Sequence, residues 1–298
     1  MRSVSLLVLA AACTPVPTYR VQRAARVPRP TVPLRTGQPL AGPVELTLGA
    51  SSVAHTMRPR AGNEMKALEI PDHQVRGELR IRLFERGELA VIHERAIGRA
   101  TKIDETQADT DSGQPWGVGV AFRGSIAPGG PWSVGLDFEV MRWSIPYAEE
   151  RVCISECDGV PTYQSLRSTS GEATWGVGIT PAYRFGDVTL FGGGFLRNHP
   201  TIVRKGTEYS EYNDEDTEAG PINVLLHAGA AVHMGAFTAM LLVHQNLDRD
   251  PVVYGPGIGF ALSASFDPAS GGTITDPDEK LAQTRARMRR SQARRDAR

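Results

Sequence analysis

The chain has 298 residues, a formal net charge of zero and 41% hydrophobic residues, enough for one large all-β domain or two small ones. Electroneutrality excludes the global basic field that nucleic-acid binders carry. Beyond the first few positions no apolar run approaches the ~18 residues of a membrane-spanning helix, so any membrane-spanning part is not helical.

Residues 1–12 read as an export signal: Arg2, then the apolar run Val4 to Ala12, with small residues before Cys13. Leu9-Ala10-Ala11-Ala12-Cys13 resembles a bacterial lipoprotein signal, which implies that Cys13 is lipidated and becomes the new N-terminus. Ordinary cleavage after Ala-x-Ala, leaving Cys13 unmodified, is the alternative. Thr14 stands where that family places an Asp for inner-membrane retention, so the resemblance implies an outer-membrane destination.

Residues 13–43 are rich in Pro and Arg: Pro15, Pro17, Pro28, Pro30, Pro33, Pro39 and Pro43, with Arg20, Arg23, Arg26, Arg29 and Arg35. Proline at this density opposes helix and central strand and favours an extended chain. The expectation is a periplasmic linker, either solvated or drawn by its charge to anionic lipid or cell-wall polymer.

From Val44 to Phe266 the pattern predicts ten strands, at 44–55, 75–84, 89–97, 116–124, 132–143, 172–185, 188–198, 221–234, 237–245 and 254–266. Most are long enough to cross a bilayer when tilted, and the connections alternate long with short, as in barrels with periplasmic turns and outer loops. Trp132, Val134, Leu136, Phe138 and Val140 alternate with Ser133, Gly135, Asp137, Glu139 and Met141. Trp175, Val177, Ile179, Tyr183 and Phe185 alternate with Gly176, Gly178, Thr180, Ala182 and Arg184, and Gly186-Asp187 closes that hairpin.

A soluble barrel with an apolar interior needs a polar exterior, but the face opposite the apolar one is Gly117, Gly119, Ala121, Gly176, Gly178 and Ala182, which suits a crowded narrow lumen. Trp116, Trp132, Trp143, Trp175, Tyr183, Phe185 and Phe266 fit interfacial girdles. The last strand, Ile258, Phe260, Leu262, Ala264 and Phe266, resembles the closing strand of outer-membrane barrels. The fold class expected is therefore all-β, an antiparallel up-and-down transmembrane β-barrel of about ten strands over residues 44–266. Residues 267–298 follow as a periplasmic basic tail, with a helix start at Asp276-Pro277-Asp278-Glu279.

One register stays open. A two-residue turn at Arg86-Gly87 puts Glu94 on the lipid face and Arg95 inside, and a bulge reverses this.

The inward charges expected are Glu45, Arg76, Glu78, Arg80, Arg82, Arg123, Asp137, Glu139, Arg184 and Arg197, either paired across a plugged lumen or lining a mildly anion-preferring pore. Ala182 facing Phe191 and Gly178 facing Phe195 favour filling. A two-residue turn at Gly235-Ala236 sets His227 opposite His244, a candidate metal pair or two hydrogen-bonded lumen histidines. Cys153 and Cys157 are expected to form a local disulfide, a metal half-site being the alternative. The acidic stretches Asp104 to Asp111 and Glu208 to Glu218 lack an ordered calcium-loop pattern.

No catalytic signature and no cofactor motif is present: His93-Glu94 lacks a second His, and Gly192-Gly193-Gly194 is strand glycine. The leading expectation is a small outer-membrane barrel with a structural, surface-interaction or narrow-pore role. Outer-membrane lipid is its partner, the basic tails suit cell wall or anionic lipid, nucleic acid is not expected, and oligomeric state is open. The alternatives are a soluble lipid-anchored barrel or sandwich holding an apolar ligand, and an outer-membrane hydrolase using rim Asp or His residues.

Overall fold

The computed structural model describes residues 18–53, 56–57, 68–102, 113–155, 157–159, 162–198, 208–209, 222–247, 253–254, 256–267 and 272–273. Cys13, the acidic stretch Asp104 to Asp111, most of the acidic stretch from Glu208 and the expected C-terminal helix lie outside the described residues. In chain order the strands are β1 (Thr18–Arg26), β2 (Val44–Val53), β3 (Thr56–Met57), β4 (Leu68–Phe84), β5 (Gly87–Lys102), β6 (Trp116–Gly129), β7 (Trp132–Ser155) and β8 (Tyr163–Phe185). They continue as β9 (Val188–Asn198), β10 (Glu208–Tyr209), β11 (Ile222–Met234), β12 (Phe237–Asn246), β13 (Val253–Tyr254), β14 (Gly257–Asp267) and β15 (Gly272–Thr273).

Ten of these close into one antiparallel barrel. Each pairs with its neighbours along the chain, from β2–β4 and β4–β5 round to β12–β14. The seam closes where β14 meets β2, Val44 beside Phe266 at one end and Val53 beside Gly257 at the other. At the Val44 end the turns all have two residues, Glu85-Arg86, Gly130-Pro131, Gly186-Asp187 and Gly235-Ala236. Three open on a glycine at positive φ, Gly130 at 67°, Gly186 at 57° and Gly235 at 62°, the backbone sign that tight hairpins need and that a side chain disfavours.

The period-2 patterning sorts the two faces. Leu48, Leu136, Phe138, Leu241, Val243, Ile258, Phe260 and Leu262 point outward, each about half exposed. An apolar girdle of this extent far exceeds the patch a soluble monomer carries. It is matched by lipid, so the barrel is transmembrane, and the soluble alternative with its apolar side inside is overturned. Trp132 meets Tyr183 edge-on, 4.9 Å between ring centres, near the turn end, where interfacial aromatics belong.

Trp143 corrects the expected girdle. It is only 2% exposed and faces the lumen, its Nε1 donating to Thr174 Oγ1 at 3.1 Å, because the alternation of β7 puts Met141, Trp143 and Ile145 on the inner face. Trp116, Trp132 and Trp175 face outward. In single-tryptophan variants, brominated acyl chains are therefore expected to quench Trp116, Trp132 and Trp175 strongly and Trp143 little. Equal quenching at all four positions contradicts this sidedness.

A bulge decides the register of β5. The pairing shifts between Arg82 and Phe84, ahead of the Glu85-Arg86 turn, and brings Arg76 opposite Glu94. Glu94 is fully buried in the lumen and Arg95 faces out.

β7 and β8 run on well past the expected strand ends. Their pairing continues from Trp132 beside Tyr183 to Val152 beside Tyr163, whereas β6 leaves β7 at Ser144 and β9 leaves β8 at Gly176. Much of the connection expected at 144–171 is thus a projecting hairpin. Cys153 and Cys157 are disulfide-bonded near its tip, with Cα atoms 5.9 Å apart.

Candidate functional site: a lumen filled by the chain itself

Of the expected periplasmic linker over residues 13–43, the described part, residues 18–43, is not a solvated tether but strand and lumen filling, and residues 13–17 lie outside the described residues. β1 lies antiparallel to the projecting part of β7, from Thr18 beside Ser155 to Ala25 beside Tyr147. Residues 27–43 then pass through the barrel as a strap. Val27, Arg29, Thr31, Val32, Leu34, Arg35 and Leu40 are all buried.

The reason is a two-sided pattern in Arg29-Pro30-Thr31-Val32-Pro33-Leu34-Arg35. In an extended chain alternate side chains point opposite ways. Arg29, Thr31 and Arg35 make polar contacts, while Val32 and Leu34 join Ala182, Phe191, Phe195, Leu225 and Met240. The prolines hold the chain extended and bring no backbone N–H that the lumen would have to satisfy.

The wall it meets has two halves. On β8, β9, β11, β12 and β14 the inward residues are mostly apolar, small or uncharged polar, Arg197 of β9 being a charged exception, with Phe191 facing Ala182 and Phe195 facing Gly178 as the register requires. On β2 and β4 to β7 lie most of the inward charges, alongside an apolar cluster of Ile70, Ile92, Met141, Trp143 and Ile145 nearer the loop end. Arg76, Glu78 and Arg80 alternate in sign along the inner face of β4.

Arg76 reaches three carboxylates, Glu78 at 2.7 Å, Glu139 at 2.7 Å and Glu94 at 3.4 Å. Arg123 donates to both oxygens of Glu78, at 2.5 and 2.9 Å, and its Nε lies 3.0 Å from Asp137. Arg80 joins Glu45 at 2.5 Å to Glu88 at 2.8 Å. Arg197, from β9, lies 3.6 Å from Glu94 and 3.5 Å from Glu139 and stacks over Trp143. Buried charges persist only when paired and hydrogen-bonded, and here each guanidinium spans strands.

The strap completes this network. Arg35 donates to Asp137 at 3.4 Å, to Ser125 at 3.0 Å and to the carbonyls of Leu136 and Gly124 at 3.2 and 3.3 Å. Thr31 donates to Glu94 at 2.6 Å and accepts from Arg197 at 3.0 Å. Arg29 donates to the carbonyls of Asp72 at 2.7 Å and Ser51 at 2.6 Å. Gly37 sits at φ 76°, where a Cβ would lie 2.1 Å from the Thr180 carbonyl oxygen, so the strap backbone is pressed against β8. Nearer the turns, Gln38 accepts from Thr189, and Arg82 donates to the carbonyl oxygens of Leu40 and Pro43.

Of the sequence-predicted lumen charges, Glu45, Arg76, Glu78, Arg80, Arg123, Asp137, Glu139 and Arg197 meet in this network. Arg82 and Arg184 line a cavity of about 690 Å³ at the turn end, beside Thr36, Gln38 and His233. Sequence reasoning missed Arg29, Arg35 and Glu88 and left the side of Glu94 open, which the bulge in β4 decides. For the first two the signal was present, as polar and apolar residues alternating between prolines.

His227 stands opposite His244 in the β11–β12 pairing, both buried, with His227 Nε2 3.3 Å from Thr180 Oγ1. Among the described residues no group of three or more His, Cys, Asp or Glu side chains is placed to hold a metal. The pair packs against small neighbours, the His244 ring over Gly257.

No protein-family model and no curated protein matches the chain. Among solved structures it is similar to Neisserial surface protein A, with 9% identity over 76% of this chain and 98% of that one, TM-score 0.34. It is also similar to LpxR from Salmonella typhimurium, with 8% identity over 74% of this chain and 100% of that one, TM-score 0.33. A third is the outer membrane protease OmpT from Escherichia coli, with 10% identity over 84% of this chain and 97% of that one, TM-score 0.31. Likenesses this distant carry no activity over to this chain.

Proposed function

We propose that the protein is an outer-membrane barrel stoppered by its own N-terminal segment, which acts through what it carries at the cell surface and not as a solute pore. The observation behind this is the seating of Arg29, Thr31 and Arg35, buried and hydrogen-bonded to the barrel wall from the loop end towards the turn end. A conducting lumen keeps its charges solvated along an open path, whereas this one spends them on the strap and on one another. Short turns at one end and long connections at the other set the turns in the periplasm and the β7–β8 hairpin outside. That hairpin, widened by β1 and tied by its disulfide, is the structure the barrel presents. Wild-type protein reconstituted in planar bilayers is expected to insert without resolvable current steps. Stable ohmic steps from the wild type overturn the stopper.

A further inference from the structure

We infer that the N-terminal segment enters the barrel from the loop side of the membrane: Thr18, at the start of β1, lies on the cell-surface side, and the lipid that the export signal implies for Cys13 is carried on that side. This rests on the orientation proposed above, with the turns in the periplasm. Three observations carry it.

The first is the polarity of β1. Its partner on β7 is the projecting part beyond Ser144, where β6 has ended. Ala25 lies beside Tyr147 and Thr18 beside Ser155, so each step back towards the N-terminus moves further from the barrel. Arg26, at the inner end of this strand, donates to the carbonyl of Gly113 just ahead of β6, at 2.9 Å.

The second is the order of contacts inside. Arg29 meets Ser51 and Asp72, near the loop ends of β2 and β4. Arg35 meets Ser125 and Asp137 further down, and Pro43 meets Arg82 close to the turns, where β2 starts. A chain tethered at its start to the periplasmic leaflet would enter from the turns.

The third is reach. Four residues lie between Cys13 and Thr18, and the five chain steps, fully extended, span at most about 18 Å. The apolar band of such a barrel is about 25 Å tall, and the lumen is already occupied. Cys13 therefore cannot return to the periplasmic side while β1 is paired with β7.

The test uses the full chain in intact cells and a membrane-impermeant maleimide. Pro17→Cys is placed just before β1, and Ala269→Cys just after β14 as the periplasmic control. The unsubstituted chain sets the baseline, in which a lipidated Cys13 is silent and an unmodified one reports from the same side as residue 17. Labelling of P17C in intact cells, with A269C labelled only after permeabilisation, is the expected result. P17C protected like A269C until permeabilisation overturns the inference while leaving the barrel and its orientation standing. Both labelled in intact cells, or A269C alone, overturns the orientation itself. Heat-modifiable migration in gels confirms for each variant that the barrel has formed.

Discussion

Replacing Glu78 by Ala is expected to destabilise the barrel by about 3–5 kcal/mol, the cost of leaving a buried charge without its partner. Glu78 takes both terminal nitrogens of Arg123 and the Nε of Arg76, and all three side chains are almost wholly removed from solvent. Its loss leaves Arg123 with Asp137 at 3.0 Å and a distant Glu88 at 3.9 Å, while Arg76 keeps Glu139 and Glu94. The readout is the urea midpoint of the folded, heat-modifiable band. Removing Arg123 as well is expected to cost less than the two single losses added together, since residues sharing an ion network are not additive. The loss should also depend little on salt, because screening acts weakly on buried pairs. A loss under about 1 kcal/mol, the range of exposed ion pairs, would mean that water reaches this half of the lumen, and the filled-barrel account would fail with it.

The outer face of the barrel was legible because lipid selects apolar side chains along most of each strand. Leu136, Phe138 and Val140 or Ile258, Phe260 and Leu262 have to face one way, and period 2 is enough to find them. Two-residue turns with glycine fixed neighbouring registers, which is why His227 stands opposite His244 and Phe191 opposite Ala182. Glu94 was not legible, because its side depends on one extra residue between Arg82 and Phe84 that periodicity does not reveal. Trp143 was misjudged because an aromatic near the end of a membrane-crossing stretch fits a girdle by composition, while the strand's own alternation turns it inward under Arg197. The strap was missed for a different reason. Prolines tell that a chain is extended, but whether an extended chain is solvated or threaded depends on a cavity built by strands far away in sequence. Its alternation of Arg29, Thr31 and Arg35 with Val32 and Leu34 makes sense only once the lumen is known to have one largely charged and one largely apolar wall.

Arg35→Glu is expected to turn a silent barrel into a conducting one. Arg35 is 1% exposed and holds the middle of the strap through Asp137, Ser125 and two backbone carbonyls. A carboxylate there faces Asp137 with like charge and confronts two carbonyl oxygens with an acceptor in place of a donor, so every one of these contacts except the Ser125 hydroxyl becomes repulsive. The wall is less affected, since Asp137 keeps Arg123 and the barrel's backbone ladder does not pass through the strap. The variant should therefore retain heat-modifiable migration while showing resolvable current steps in planar bilayers, and residues 27–43 should become open to protease from the aqueous phase. Gly37→Val offers a second route to the same state: its Cβ would meet the Thr180 carbonyl at 2.1 Å and its φ of 76° strains a branched side chain. Two substitutions acting by charge and by shape that both open the lumen locate the stopper in the strap. If both variants fold yet stay silent with the strap still protected, the seal lies in the wall network of Arg76, Glu78, Arg123 and Glu139, and the strap is cargo held in a lumen that is closed without it.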